Sequence, residues 1–191
     1  KLNTRGIEGM NQFTVVFEDV EVPEENLVGE ENQGLFVMFN GLNPERILAG
    51  AGALGLTEFC LQRAVEYAKQ RCVFGERPIG SYQAIQHPLA DVKIRQEAVR
   101  LTVYKAAWAY DKNLPPQEVM FLANSSKYLA AELILMAVDR AIQTYGGAGF
   151  VEDNFLILLW DSTRLLKTAP LSNEMILNLT AEHILGLPRS Y

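Results

Sequence analysis

Cysteine and histidine are scarce in this 191-residue chain, with two of each. Cys60 lies in an apolar helical stretch and Cys72 follows an arginine in an expected turn. A disulfide framework is therefore not expected, and a reducing compartment fits. His87 and His183 are far apart, and no Cys or His spacing matches a zinc site, so no metal centre is expected. Clustered Lys and Arg are missing too. The net charge is −6 with the charges scattered, which argues against nucleic acid, because phosphate binding needs grouped cations. No apolar run reads as long enough to span a membrane, and no signal-type leader is seen. Internal repeats and low-complexity segments are lacking as well. The chain has no initiator Met and begins at Lys1 within what reads as continuing structure, which is expected of a fragment.

What is there is apolar: 49% hydrophobic residues against 21% charged, enough for one sizeable domain or one domain plus part of another. The opening has its own character. Phe13 to Phe17 is β-branched and aromatic, and Asp19 to Val22 is bounded by Pro23, so one or two short strands are predicted. From about Gly34 the period becomes helical, with Leu35, Met38, Leu42, Glu45, Leu48, Gly52, Leu56, Phe59 and Arg63 at three- and four-residue spacings. This predicts a long helix to about Gln70. Ser81 is a candidate N-cap for a second helix striped by Ile85, Leu89, Val92, Val99, Val103, Ala107 and Tyr110. Pro88 is expected to kink it or to be absorbed by an irregular start. Pro115 and Pro116 end that element, and a third helix is predicted from about Gln117 to Tyr145. A segment around Phe155 to Leu166 and a last helix from Ser172 to Leu185 complete the chain. The sum is a mainly α fold, an antiparallel four-helix-type bundle preceded by a short β segment. Tyr104, Trp108 and Tyr128 read as core or subunit interface.

Four places could carry chemistry. Gly50, Gly52 and Gly55 fall within two turns of the first helix, although each costs roughly 1 kcal/mol relative to alanine. They fit close approach of a ligand, or tight helix packing. Glu45 lies one turn earlier on the Leu48, Ala49 and Gly52 face, read as turning inward, where a carboxylate needs a partner or a task. Arg71 and Phe74, in a turn with Gly75, could grip a phosphate and stack a ring. The loop Gly146-Gly147-Ala148-Gly149 permits positive φ and close approach, or simply caps a helix.

Their order carries more than any one of them. Phe17-Glu18-Asp19-Val20-Glu21-Val22-Pro23 with Asn26-Leu27-Val28-Gly29-Glu30 resembles the exit from the β domain of acyl-CoA dehydrogenases. Gln70-Arg71-Cys72-Val73-Phe74-Gly75, then Pro78-Ile79, resembles the family's turn. Gln83-Ala84-Ile85-Gln86, Leu89-Ala90-Asp91 and Ala141 to Phe150 resemble its later blocks. The resemblance runs over essentially the whole chain. It implies that residues 1–32 end a middle β domain and that 33–191 form a C-terminal helical bundle. It also implies an FAD shared between subunits. Arg71 and Phe74 would meet the pyrophosphate end of a neighbour's FAD with Gln83 nearby, and Gln143, Gly146 and Gly147 would approach its adenosine.

The implied reaction removes an α-proton and a β-hydride from an acyl-CoA thioester, giving a 2-enoyl-CoA, with FAD taking the hydride. A carboxylate base in a desolvated site is needed. Many relatives place it before the last helix, where this chain has Ala169-Pro170-Leu171-Ser172-Asn173-Glu174, with Pro170 at the glutamate's place. Isovaleryl-CoA and long-chain dehydrogenases take it instead from the long first helix, in a Glu-Arg pair that Glu45-Arg46 resembles. Glu45 is the implied base, and Arg46 would lie near the acyl-CoA entrance. Ser172, Glu174 and, with them, Asn173 are implied to contact FAD. A homodimer or homotetramer is expected, with electron-transfer flavoprotein or oxygen as the possible acceptor. The setting would be bacterial cytoplasm, or a mitochondrial or peroxisomal matrix. The alternatives are a catalytically silent FAD- or acyl-CoA-binding homologue and a helical oligomerisation module.

Overall fold

Three long helices account for most of the molecule. The structure, a computed structural model, describes residues 1–190, with the side chains of residues 35, 36, 39 and 40 outside that description. Leu35, first of the expected stripe, is therefore not placed. The helices are α1 (Gly34–Gln70), α2 (Gln83–Asp111), α3 (Pro116–Tyr145), α4 (Leu156–Leu165) and α5 (Asn173–His183), with 3-10 turns in the α1–α2 and α3–α4 connections. Pro116 starts α3, where its missing N–H costs nothing, and Gly146 closes it at φ 59°. Pro88 is carried inside a continuous α2. Ser81 is not the cap of α2. Tyr82 takes that position, and the Ser81 hydroxyl donates instead to the Pro78 carbonyl.

Residue pairings fix the directions. Arg46 meets Asn124 and Tyr67 stacks on Tyr145, so α1 and α3 run the same way. Ile85 and Leu89 lie beside Leu61 and Val65, and Val103 and Ala107 lie beside Ile47 and Leu48, so α2 runs against α1. The centre is α3, which packs against α1, α2, α4 and α5. It has the length and apolarity of a membrane-crossing helix, contrary to the expectation from sequence, and its place at the centre of the bundle accounts for that hydropathy. The main core joins Ala53, Cys60 and Ala64 of α1, Val92, Val99 and Val103 of α2, Ile134, Ala137, Val138 and Ala141 of α3, and Leu156 of α4. Burial pushes the Cys60 thiol up to about 12, which leaves it a small apolar filler.

Two expectations need correction. No strand forms among the described residues, and the Phe13–Val22 segment is exposed and bends at Asp19, which sits at φ 48°. A strand needs a backbone partner, and this segment finds none among the described residues. It is held further back, where Arg5 pairs with Asp161 at 3.3 Å and Gly6 packs so tightly on Asp161 that a Cβ would come within 2.7 Å of its backbone. The second correction concerns α1. The buried stripe is Arg46, Ile47, Gly50, Ala53, Thr57, Cys60 and Ala64, whereas Met38, Glu45, Leu48, Gly52 and Phe59 face outward. Apolar residues occur on both faces of α1, and three- and four-residue spacing cannot say which face meets α3. Of the two readings for Tyr104 and Trp108, core or subunit interface, their exposure in this chain removes the first.

Candidate functional site

The expected residues gather in two places, towards opposite ends of the bundle. At one end, a cavity of about 530 Å3 is lined by Tyr67, Arg71 and Val73 together with Gln143, Gly146, Gly147 and Ala148. The 71–79 turn is closed by Ile79 N–H donating to the Arg71 carbonyl at 2.8 Å and by an isolated bridge between Cys72 and Pro78. Phe74 stands at its tip, 97% exposed, in the left-handed region at φ 52°. An exposed ring on a strained backbone has no packing role within this chain. Across the cavity, neither Gly146 nor Gly147 has anything within 4 Å of where a Cβ would sit. Gly149 just beyond is locked, since its Cβ would lie 2.8 Å from the Ile142 carbonyl oxygen, and Asn154 donates to the Ala148 carbonyl at 2.8 Å. The loop is thus fixed at one side and open at the other. A guanidinium, a side-chain amide and an approachable glycine backbone suit a phosphate-bearing ligand. Gln83, first residue of α2, is exposed and does not line this cavity. Gln143 and Gly146 also border a second cavity of about 340 Å3 with Phe150 and Trp160. Of two further grooves between α1 and α2, one of about 710 Å3 holds none of the expected site residues, and one of about 620 Å3 is lined by Leu48 and Gly55 of the outward stripe.

At the other end stand Glu45 and the start of α5. Glu45 is exposed on the outward stripe, followed by Leu48, Gly52 and Gly55, and both glycines look onto open space. Gly50 differs: a Cβ there would meet the Ser126 backbone at 3.3 Å, so it serves helix packing. Arg46, expected near a ligand entrance, is 1% exposed. Its Nε donates to the Leu42 carbonyl at 2.9 Å, its Nη2 to Asn43 Oδ1 at 2.8 Å and its Nη1 to Asn124 Oδ1. The structure makes it a joint between α1 and α3.

Asn124, Ser126 and Lys127, on one turn of α3, hold both sides of this end. Lys127 is 1% exposed and donates to the Leu171 carbonyl at 2.6 Å and to Asn173 Oδ1 at 2.8 Å. Asn173 is buried and donates on to Glu132 at 2.8 Å, which also pairs with Lys167 at 2.8 Å. Burial pushes the Lys127 ammonium down to about 8, against the opposing pull of Glu174 and Glu132. Ser172 caps α5 by accepting from the Met175 N–H at 3.2 Å, which leaves its own hydroxyl hydrogen to donate elsewhere. Glu174 is exposed beside it, and the Ala169–Pro170 peptide is cis. Asn124 and Lys127 were missed in the sequence. Their signal is an Asn-Ser-Ser-Lys run inside an otherwise apolar helix, with Ala123, Ala130 and Ala131 around it.

The two groups do not meet within the chain. Glu45 lies on α1 and Arg71 just past its end, 26 residues on, about 39 Å at the helical rise of 1.5 Å per residue.

Comparison with known proteins gives this arrangement its family. Residues 32–185 match the model of the acyl-CoA dehydrogenase C-terminal domain. The chain is 44% identical over 180 residues to the acyl-CoA dehydrogenase FadE12 of Mycobacterium tuberculosis, covering 94% of this chain and 46% of that protein. Among solved structures it resembles butyryl-CoA dehydrogenase from Megasphaera elsdenii, with a TM-score of 0.81 and 35% identity over 89% of this chain and 43% of the other. It also resembles the FAD complex of PigA, with a TM-score of 0.82 and 27% identity over 90% of this chain and 43% of the other. The chain thus spans less than half the length of the relatives it matches. It belongs to the acyl-CoA dehydrogenase family, with residues 32–185 matching that family's C-terminal domain.

Proposed function

We propose that the chain is the C-terminal part of an FAD-dependent dehydrogenase that converts an acyl-CoA thioester to the 2-enoyl-CoA, with Glu45 as the base. Residues 1–32 would be the end of a middle β domain whose remaining strands pair with the exposed Phe13–Val22 segment. FAD supplies the hydride acceptor when bound. Glu45 takes the α-proton on its carboxylate. The outward stripe of Leu48, Gly52, Gly55 and Phe59 beside it is apolar and smooth, and a covering domain would exclude water from it. Pro170 has no group to accept a proton, which leaves Glu45 to do so.

One observation carries the shared cofactor. Arg71, Gln143, Gly146 and Gly147 converge on one cavity from two distant stretches of sequence, well away from Glu45. A single dinucleotide does not reach both ends, so the Arg71 end would hold the pyrophosphate and adenosine of a neighbouring subunit's FAD. Phe74, exposed at the tip of its turn, would complete that contact, with Gln83 close to it in sequence. Ser172 and Glu174 would face the chain's own FAD. A homodimer or homotetramer follows, with electron-transfer flavoprotein as a possible acceptor and a reducing compartment as its setting.

The test is anaerobic flavin bleaching in the full-length protein over straight and branched acyl-CoAs, with Glu45→Gln alongside. Bleaching in the parent that disappears in Glu45→Gln, with acyl-CoA still bound, supports the reading. Bleaching that survives moves the base elsewhere. A parent that binds FAD and acyl-CoA without bleaching is a silent homologue.

A further inference from the structure

The buried ammonium of Lys127 is not explained by packing. An apolar side chain of similar volume would fill the same space without the cost of desolvating a charge. What the cation adds is direction. Its two hydrogen bonds fix a main-chain carbonyl at Leu171 and a side chain at Asn173, on either side of Ser172. Asn173 is tied twice more, by its own N–H to the Lys167 carbonyl at 2.9 Å and by its amide to Glu132. The residues flanking Ser172 are therefore held from within, while Glu174 is left exposed. The same turn of α3 reaches α1 through Asn124 to Arg46, the neighbour of Glu45, and through Ser126 to Gly50.

We propose that Lys127 is a positioning residue for the cofactor site, fixing the Leu171–Asn173 backbone so that Ser172 and Glu174 are presented to FAD at a set angle. This rests on the function proposed above. The charged groups around the ammonium are Glu132 and Lys167 on the outer side and Glu174 on α5. Lys127 does not touch the cofactor. It acts through two residues that would.

The experiment uses the full-length holoenzyme with Lys127→Met, and with Asn173→Ala as the milder variant should the first fail to fold. FAD affinity is measured by titrating the apoprotein with FAD, and the flavin environment by visible circular dichroism. Far-UV circular dichroism and oligomeric state are followed as controls. The expected result is an FAD dissociation constant raised at least tenfold and an altered flavin dichroism in a variant with parental secondary structure and assembly. A folded variant with affinity within twofold of the parent and unchanged flavin dichroism overturns the proposal and leaves Lys127 a structural residue. A parent apoprotein that takes up no FAD overturns the underlying function and this inference with it.

Discussion

Tyr67 and Tyr145 stack with ring centroids 4.0 Å apart and planes 17° from parallel, joining the last turn of α1 to the last turn of α3. Both line the cavity shared by Arg71 and Gly146, so the stack sets the spacing between the cavity's two walls. Tyr145 is buried, and its hydroxyl donates to the Arg63 carbonyl at a long 3.3 Å. Tyr145→Phe is expected to cost under about 1 kcal/mol, because that hydrogen bond is weak. Tyr145→Ala removes a buried ring and should cost about 3–5 kcal/mol. The same change lets the walls close up, so FAD affinity should fall with it. Denaturant unfolding and FAD titration of both variants check the pair. Equal FAD affinity in the two would show that the stack does not shape the cavity.

The three glycines of α1 separate by what surrounds them. A Cβ at Gly50 presses on the Ser126 backbone and on Val103, and a packed helix backbone yields little. Gly50→Ala should therefore destabilise by about 1–3 kcal/mol, despite the better helix propensity of alanine. Gly52 and Gly55 have open space, so Gly52→Ala and Gly55→Ala should leave the melting temperature undiminished. If the outward stripe receives the acyl-CoA, these two changes raise KM without that loss of stability. A parental KM in both would remove the stripe from the substrate site.

The same glycines mark how much was legible. The helical period from about Gly34 to Gln70 matches α1, and the third and last expected helices fall within two residues of α3 and α5, while α2 stops three residues before Leu114 and α4 occupies a segment read without a helix of its own. It could not decide between the two apolar faces of α1, because that depends on which one α3 covers. The resemblance puts Arg46 near the acyl-CoA entrance, and its burial was not legible because its partner Asn124 lies 78 residues away. Arg71 and Gly146 were legible as motifs, and their convergence became visible only when α1 and α3 were laid side by side. Phe13 to Phe17 has strand composition, but composition does not say whether a backbone partner is at hand, and none is found among the described residues.

Arg46 gives a direct test of that burial. Arg46→Leu keeps an apolar stem but leaves Asn124 and Asn43 without the donors they now accept from. The expected cost is about 1–3 kcal/mol for the buried Asn124 acceptor left unpaired, with less from Asn43, which is half-buried. Arg46→Lys should recover only part of it, since an ammonium cannot reproduce the guanidinium fork to Leu42, Asn43 and Asn124. Unfolding of the double variant with Asn124→Leu measures the coupling. Additive losses would mean that the two residues do not act as one joint.

Lys127 predicts a pH dependence of opposite sense to the usual one for a lysine. Burial lowers its folded value from 10.5 to about 8. Between those values the unfolded chain holds the proton and the folded chain does not, so the unfolded state binds more protons and stability rises with pH. Below about 8 both states are charged, and the full cost of burying the ammonium is present. As pH climbs from 8 towards 10.5 that cost is relieved, by an amount on the order of 3 kcal/mol if the whole shift is realised. Other groups titrate in the same window, and comparison with Lys127→Met cancels them. The melting temperature of the full-length protein minus that of Lys127→Met should therefore increase from pH 7.5 to pH 10, the range bracketing the value near 8. A difference that stays level would mean that the ammonium keeps an ordinary value despite its burial, and that its bonds to Leu171 and Asn173 repay the lost solvation in full.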